Sequence, residues 1–405
     1  MKTLNSVMWL TLLWFGLVLL AVTTHANECL KEVDELPVLT EIPNPFQFCN
    51  GEIVKIVDDW KKRREEIKEM LMFYEYGHMP PAPPIKKSEL VVEVPLSENK
   101  ILLRKYKVTY GPPELDIEIF IYLPNVKANS FPVILYIPKT VPKLDESDNG
   151  NFNIAKKCCL EKNYALCVFD KDMLDDDSGS RDQKIYKLYP EYDWGSLGVW
   201  AWGALRVLDF LETLPEIDTK HLALTGHSRR GKAALWASAN DERIPLVIPQ
   251  SSGTGGCGSY WIVGKGAETL KAITTDVAPY WFVPRLQSFI GKENRLPFDQ
   301  HFLKALIAPR GQLSRESLGD LWANPRGTLA MHLYTVPVYE FLNAKDKIYI
   351  HFREGGHVLQ DSDWDLVLDF CDFYFFKKDP PKGLNSIPFS DIPEPNWKTP
   401  FNINK

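Results

Sequence analysis

Residues 222–236 read Leu222-Ala223-Leu224-Thr225-Gly226-His227-Ser228-Arg229-Arg230-Gly231-Lys232-Ala233-Ala234-Leu235-Trp236. The first part is an apolar strand pattern that ends at Gly226, and the last part is rich in Ala and Leu, as in a helix. Ser228 lies between them. This layout is typical of a nucleophile elbow, in which a sharp strand-to-helix turn exposes a serine hydroxyl. The stretch therefore predicts acyl transfer through Ser228.

The spacing of the two glycines is unusual for such an elbow. The common pattern is G-x-S-x-G, whereas Gly231 comes one residue later in this chain. An alternative interpretation is an ordinary strand-to-helix turn in which Ser228 is only the N-cap of the helix. Because short motifs also occur by chance, the assignment depends on partner residues elsewhere in the chain.

The composition is that of an ordinary globular protein. The chain has 405 residues, of which 45% are hydrophobic and 25% charged, and its net charge is -6. A nucleic-acid-binding protein would show a basic stripe or domain, so this class is excluded. The length fits one large α/β domain or two small ones. We predict a single domain over residues 27–405, and expect it to be a monomer.

The N-terminus has the features of a secretory signal peptide. Lys2 gives a positive start, an apolar run extends over residues 7–22, and small residues lead to Ala26. We predict a signal peptide over residues 1–26 and a secreted protein without a membrane anchor. The alternative is an uncleaved anchor, since the apolar run is close to the minimum for a membrane span. An Asn-x-Ser/Thr sequon would support export, but the sequence contains none.

Seven cysteines are present. In an exported protein some of them should pair, and the odd number leaves at least one without an intramolecular partner. We expect a disulfide between Cys29 and Cys49, because both lie in the Pro-rich N-terminal segment. The absence of C-x-x-C pairs argues against a zinc site, and no metal or cofactor is expected.

The N-terminal third predicts a helix followed by antiparallel strands. Residues 51–75 have the pattern of an amphipathic helix, and the Pro-rich residues 79–84 end it. Strands are predicted at residues 90–93, 104–108 and 117–123.

The rest of the chain predicts a parallel sheet. Continuous apolar runs suit strands that are buried on both faces, and they occur at residues 132–137, 165–169, 245–250, 305–309 and 348–352. A long helix is predicted over residues 193–212. Strands that alternate with helices indicate an α/β fold with a mostly parallel central sheet flanked by helices.

A catalytic acid and base for Ser228 should follow it in the order acid, then histidine. His357 lies in a glycine-rich loop after the predicted strand 348–352, where such a fold places its general base; a surface histidine is the alternative. His227 is set aside because its side chain should point away from the serine on a tight turn. Asp320 comes after the predicted strand 305–309 and its extension, residues 311–314, and is the candidate acid. Its alternative role is a helix N-cap.

Several side chains near the elbow suggest an oxygen-rich substrate. The backbone N–H of Arg229 should point toward a developing oxyanion. Arg229, Arg230 and Lys232 place three cations near one hydroxyl, which suits negative charge or many oxygens. Flat faces for a sugar ring could come from Trp261, Trp281 and Trp322, although aromatic residues more often belong to the core.

The elbow resembles that of the glucuronoyl esterase family of carbohydrate esterases, whose members carry G-x-S-R-x-G-K at this place. Further similarity follows in order, and it lies at residues 296–301, 305–310, 319–327 and 356–357. The resemblance implies a three-layer α/β-hydrolase fold and an enzyme that cleaves esters of glucuronic or 4-O-methylglucuronic acid, as in linkages between xylan and lignin alcohols. It also implies that Ser228 is the nucleophile and His357 the base, and that Arg229 assists the oxyanion.

The resemblance implies three further contacts with the sugar. Lys232 would bind its hydroxyl groups, Trp322 would lie near the ring, and Glu268 would contact the uronate. The expected partner is thus a small-molecule or polysaccharide uronate ester.

Two departures from the family pattern stand out. Many fungal members have P-Q-E-S-G and use the glutamate as the acid, but Ser251 occupies that position here. The acid then resembles that of bacterial-type members, which is Asp320. Residues 256–261 also differ from a basic stretch common in bacterial relatives, which affects substrate preference more than chemistry. Two alternatives stay open: an acetyl xylan esterase or other carboxylesterase with the same triad, and a non-catalytic carbohydrate-binding relative.

Overall fold

The structure is a computed structural model that describes residues 29–147, 150–395, 397 and 399. The predicted signal peptide, residues 1–26, lies outside the described residues. Among the residues that are described, none of the helices combines the length and the apolar character that crossing a membrane would need.

Within the described residues, nine strands form one sheet in the order β1-β2-β3-β5-β4-β6-β7-β8-β9. Strands β1 to β3 are antiparallel, as is the β3–β5 pair, whereas β4 to β9 run parallel to one another. The strands are β1 (Ile85–Leu96), β2 (Ile101–Tyr110), β3 (Leu115–Pro124), β4 (Phe131–Ile137), β5 (Ala165–Phe169), β6 (Ile217–His227), β7 (Leu246–Gln250), β8 (Gly311–Ser317) and β9 (Ile348–Arg353).

Helices cover both faces of this sheet. Those in the described part of the chain are α1 (Val57–Leu71), α2 (Asn151–Lys156), α3 (Lys184–Leu188), α4 (Ser196–Leu211), α5 (Arg229–Asn240), α6 (Gln300–Ala305), α7 (Pro325–Phe341) and α8 (Asp361–Phe376). The mostly parallel sheet with flanking helices confirms the predicted α/β fold.

Strand β4 shows why its continuous apolar run predicts a central strand. Val133 and Leu135 point into the core beneath α4 and α5, whereas Ile134 and Tyr136 point into the core beneath α8. All four side chains are buried. Because successive side chains of a strand face opposite sides, a strand covered on both faces must be apolar at every position.

In the N-terminal segment, the first helix begins later than predicted, and the predicted disulfide is confirmed. Helix α1 begins at Val57, not at residue 51, because the Asp59 carboxylate accepts hydrogen bonds from the backbone N–H groups of Lys55 and Ile56. The predicted disulfide between Cys29 and Cys49 is present. The other cysteines, all within the described residues, are buried and unpaired, and they are Cys158, Cys159, Cys167, Cys257 and Cys371.

The predicted strand at residues 305–309 is wrong. Asp299 caps helix α6, which ends at Ala305, and the chain then turns before β8 begins at Gly311. Leu303, Leu306 and Ile307 are nevertheless almost fully buried. A short apolar run that is buried on all sides has no periodicity, so it cannot be distinguished from a strand. Only the predicted extension of this run, residues 311–314, belongs to a strand.

Candidate active site

The elbow serine lies at the carboxyl edge of the parallel sheet, between β6 and α5. Ser228 has φ 58° and ψ -134°, a left-handed conformation that is costly for a residue with a side chain. Its N–H donates to the Gln250 carbonyl at 2.9 Å, and its carbonyl accepts from the N–H of Gly231 at 2.8 Å. Ser228 occupies the N-cap position of α5, but within the described residues its side-chain oxygen accepts no capping hydrogen bond from a backbone N–H of the helix. The hydroxyl is therefore not used for capping.

The late second glycine of the motif has a structural reason. A Cβ on Gly226 would lie 2.4 Å from the Arg230 carbonyl oxygen, and one on Gly231 would lie 2.9 Å from the Gly226 carbonyl oxygen. The first turn of α5 thus packs directly on the end of β6, backbone against backbone. Only glycine allows that approach at either position.

The predicted base and acid are in contact. His357 Nδ1 lies 2.6 Å from Asp320 Oδ2. The Asp320 side chain is only 2% exposed, whereas that of His357 is 42% exposed. Asp320 Oδ1 also accepts the N–H of Ala323 at 3.4 Å and so caps a short 3₁₀ turn. Asp320 therefore contacts His357 and also caps the 3₁₀ turn, so the geometry agrees with both interpretations of this residue. The catalytic roles of Asp320 and His357 stay predictions.

His227 lies against the candidate base. The ring centroids of His227 and His357 are 4.4 Å apart, and His227 Nε2 lies 2.8 Å from the main-chain oxygen of His357. Burial lowers the pKa of His227 to about 3, and the neighbouring charges of His357 and Arg230 act in the same direction. The prediction sets His227 aside, but the structure joins it to the loop that carries the base.

The Arg229 side chain is held at one side of the elbow. Its Nε lies 2.7 Å from Asp177 Oδ2, and its guanidinium lies 5.3 Å from the centroid of the Trp281 ring. Trp281 Nε1 donates to the other carboxylate oxygen of Asp177 at 3.0 Å. Trp281 is therefore a buried support for Arg229, not the exposed sugar platform considered from the sequence. Arg229 keeps about a third of its side chain exposed, 35%, so it is accessible from the site.

Lys232 and Glu268 form a buried pair. Lys232 Nζ donates to Glu268 Oε1 at 2.8 Å and to the Thr254 carbonyl at 2.6 Å. Burial raises the pKa of Glu268, and the charge of Lys232 opposes that rise. The pair packs so closely on Gly253 that a Cβ there would lie 1.7 Å from Glu268 Oε1. The two predicted sugar contacts are thus adjacent, but nearly all of their surface is buried.

Trp322 lies at the exposed rim of the site. Its side chain is 46% exposed, and its main-chain oxygen accepts the N–H of Glu268 at 2.9 Å. Since Trp322 follows Asp320 by two residues, its position is tied to both the acid and the buried pair. The other cation of the motif, Arg230, is buried, and burial lowers its pKa. Of the three predicted cations, Arg229 alone stays accessible.

The position of the missing fungal glutamate is filled by a serine bound to a buried arginine. Ser251 Oγ accepts from Arg315 Nη1 at 3.2 Å, and Arg315 also pairs with Asp363. A hydroxyl in this place cannot supply the negative charge that holds an imidazolium. Asp320 is the carboxylate that contacts His357 instead.

Two residues near the site, His227 and Asp177, were not predicted as functional. His227 adjoins Ser228 in the sequence, so its place near the site could be predicted. Its contact with the His357 carbonyl could not, because the two residues are far apart in the sequence. Asp177 lies in the acidic stretch 175–177 after β5, and the only available signal was that loops at the carboxyl ends of parallel strands build such sites. As for metals, the described residues contain no group of three or more His, Cys, Asp or Glu that could hold an ion.

Comparisons with known proteins agree on one family. The family model described as glucuronyl esterase, fungi, matches residues 107–343. A 4-O-methyl-glucuronoyl methylesterase of Thermothelomyces thermophilus is 35% identical over 302 residues, which cover 71% of this chain and 69% of that protein.

Solved structures give the same result. A carbohydrate esterase family 15 glucuronoyl esterase from Caldicellulosiruptor kristjansonii is similar with a TM-score of 0.74 and 31% identity, over 91% of this chain and 99% of that one. A serine-to-alanine mutant of the Sporotrichum thermophile glucuronoyl esterase, in complex with methyl 4-O-methyl-beta-D-glucopyranuronate, gives a TM-score of 0.69 and 26% identity, over 86% and 91% of the two chains. The chain therefore belongs to the glucuronoyl esterase family and is a carboxylic ester hydrolase.

Proposed function

We propose that this protein is a secreted serine esterase that hydrolyses esters of glucuronic or 4-O-methylglucuronic acid through Ser228, His357 and Asp320. The observation that carries the proposal is the 2.6 Å contact between His357 Nδ1 and Asp320 Oδ2, in a loop that His227, the residue before Ser228, also contacts. These are the parts that acyl transfer through a serine requires, in the chain order of an α/β-hydrolase.

The contact with Asp320 assigns the proton on the His357 ring. A carboxylate only accepts hydrogen bonds, so Nδ1 carries the hydrogen and Nε2 has a free lone pair. Nε2 can then take the proton of Ser228 as Oγ attacks the ester carbonyl carbon. Asp320 stabilises the imidazolium that forms, because it is buried and faces the positive ring.

Collapse of the tetrahedral intermediate completes the first half of the reaction. The carbonyl oxygen becomes an oxyanion, which the N–H of Arg229 at the start of α5 and the Arg229 guanidinium stabilise. His357 gives its proton to the departing alcohol as the carbon–oxygen bond breaks. Water, activated by the same histidine, then hydrolyses the acyl enzyme and releases the uronic acid.

The uronate end of the substrate would bind on the side of Lys232, Glu268 and Trp322. In support, the Sporotrichum thermophile relative forms a complex with a methyl ester of 4-O-methylglucuronic acid. Lys232 Nζ has three N–H groups, and two protein acceptors are present. The third can donate to a sugar hydroxyl, and Trp322 offers an exposed face to the ring.

Secretion and a lignin–carbohydrate substrate are parts of the same proposal. The Cys29–Cys49 disulfide supports an oxidising compartment. An ester of a xylan-borne uronic acid with a lignin alcohol has the acyl group that the site would bind and an alcohol that can leave into solvent. We expect the enzyme to act as a monomer.

Hydrolysis of benzyl glucuronate by wild type and by the Ser228→Ala variant tests the proposal. We expect the wild type to prefer this ester over acetylated xylan and 4-nitrophenyl acetate, and the variant to lose activity while its melting temperature stays unchanged. Retained activity of the variant would contradict the assignment of Ser228. A preference for acetylated xylan would indicate an acetyl xylan esterase, and binding of uronate esters without turnover would indicate a carbohydrate-binding protein.

A further inference from the structure

The base loop, residues 354–360, has little intrinsic rigidity. Gly355 has φ 95°, and an added Cβ on Gly356 would meet no atom within 4 Å. His357 itself is partly exposed. A loop of this composition has many accessible conformations, so its position must be set by contacts from outside the loop.

Those contacts bind five successive carbonyl groups of the base loop. Arg353 donates to the carbonyls of residues 354, 356 and 358 at 2.7, 3.3 and 2.9 Å. The N–H of Gly319 donates to the carbonyl of residue 355 at 2.9 Å. His227 Nε2 lies 2.8 Å from the carbonyl oxygen of His357 itself.

Among these donors, His227 is the one that comes from the elbow. Arg353 is the last residue of β9, directly before the base loop, and Gly319 lies just after the neighbouring strand β8. His227 is the last residue of β6, directly before Ser228. Its contact therefore joins the element that carries the nucleophile to the residue that carries the base.

The chemistry of His227 suits a fixed donor. A carbonyl oxygen accepts but cannot donate, so the hydrogen of the neutral ring lies on Nε2. Burial lowers the pKa of His227 to about 3, so the ring is neutral near pH 7. The tilted contact between the two rings, with centroids 4.4 Å apart and planes 41° apart, also limits rotation of the His357 ring.

We propose that His227 is a positioning residue that sets the distance between Ser228 Oγ and His357 Nε2. One contact fixes the main chain of His357 and the other fixes its ring. The inference rests on the proposed function, because it requires Ser228 and His357 to exchange a proton.

Replacing His227 separates the two contacts. His227→Gln keeps an N–H at a similar reach but removes the ring, His227→Phe keeps a ring but removes the donor, and His227→Asn is polar but too short to reach the carbonyl. The readouts are kcat and KM for benzyl glucuronate, and the rate and final amplitude of Ser228 labelling by a fluorophosphonate probe.

We expect His227→Phe and His227→Asn to lower kcat and the labelling rate about 10- to 100-fold, as small misplacements of reacting groups do. KM should change less than about twofold, because His227 does not contact substrate in the proposed site. His227→Gln should recover to within about fivefold of the wild type, since it restores one neutral hydrogen bond. The labelling amplitude should stay near one per chain, because a misplaced base slows the reaction but leaves every molecule folded.

Other results would overturn the proposal. Wild-type kcat in both His227→Phe and His227→Asn would show that the hydrogen bond of His227 does not position His357 relative to Ser228. A fall in labelling amplitude with an unchanged rate would show a role in stability only, and a change confined to KM would show a substrate contact. Failure of the proposed function gives a different result, since Ser228→Ala would then keep its activity whatever the His227 variants do.

Discussion

The elbow and the base loop hold their reactive side chains in opposite ways. Ser228 is positioned mainly by its nearest neighbours in the sequence, through the close contact of Gly226 with residues 230 and 231, with one added hydrogen bond from its N–H to the Gln250 carbonyl. His357 is positioned by side chains from three separate places in the chain: Asp320 after β8, Arg353 at the end of β9 and His227 at the end of β6. The nucleophile thus depends on local backbone geometry, and the base depends on long-range hydrogen bonds.

This difference determines which residues tolerate change. In the elbow the backbone leaves no room for a side chain, so even a methyl group must displace main-chain atoms. In the base loop space is available, but each lost donor frees a carbonyl and allows the loop to move. We therefore expect steric substitutions to be severe in the elbow, and polar substitutions to be severe around the base loop.

Glycine-to-alanine substitutions should separate the two regions most strongly. In Gly226→Ala the new Cβ would lie 2.4 Å from a main-chain oxygen, and in Gly231→Ala 2.9 Å. We expect both variants to lose more than about 3 kcal/mol of unfolding free energy and nearly all activity. Denaturant unfolding measures the loss of unfolding free energy, and benzyl glucuronate hydrolysis measures the loss of activity.

Gly356→Ala is the matched control in the base loop. An added Cβ there meets no atom within 4 Å. The free energy of unfolding should therefore stay close to that of the wild type, and kcat should stay within about twofold. If Gly356→Ala were as damaging as Gly226→Ala, the distinction between the two regions would be wrong.

Asp320→Asn should produce the next largest effect. The amide can still accept the N–H of Ala323, so the 3₁₀ turn should survive. It no longer provides a charge for the imidazolium and can favour the wrong tautomer of His357, so kcat should fall about 10³- to 10⁴-fold. Steady-state kinetics measure the fall in kcat, and an unchanged melting temperature would show that the 3₁₀ turn survives. An active Asp320→Asn variant would mean that another group serves as the acid.

Arg353→Lys tests the long-range support of the base loop. Arg353 holds three carbonyls and pairs with both oxygens of Asp363. An ammonium group cannot reproduce this planar fork, so we expect kcat to fall about 10-fold with little change in KM. Arg326→Lys, at an exposed pair with Asp391, is the control and should behave as wild type. Equal kcat for the two variants would show that the fork does not position the base.

Asp177→Asn probes a long-range contact of the elbow, the ion pair between Asp177 and Arg229. Without the carboxylate charge, Arg229 loses its ion pair and should sample other rotamers. We expect kcat to fall about three- to tenfold, because the backbone N–H of Arg229 remains to hold the oxyanion. A loss as large as that of Asp320→Asn would show that the elbow depends on distant contacts as much as the base loop does.

The same contrast explains what the sequence could predict. The elbow, the central strands and the contact between the candidate acid and base follow from local patterns and from chain order. The contacts of Asp177, Arg353 and His227 join residues that are far apart in the sequence, and composition and periodicity contain no information about such pairs. The prediction at 305–309 is wrong for a different reason, since a buried apolar turn after α6 has the same residue pattern as a short buried strand.

Labelling with a fluorophosphonate probe tests the central claim most directly, because it reports whether Ser228 and His357 act together. We predict one covalent label per wild-type chain, located at Ser228 by peptide mass spectrometry, with benzyl glucuronate hydrolysis lost in proportion. The label should form far more slowly in His357→Ala. Labelling at another residue, or hydrolysis that persists in fully labelled protein, would contradict the account.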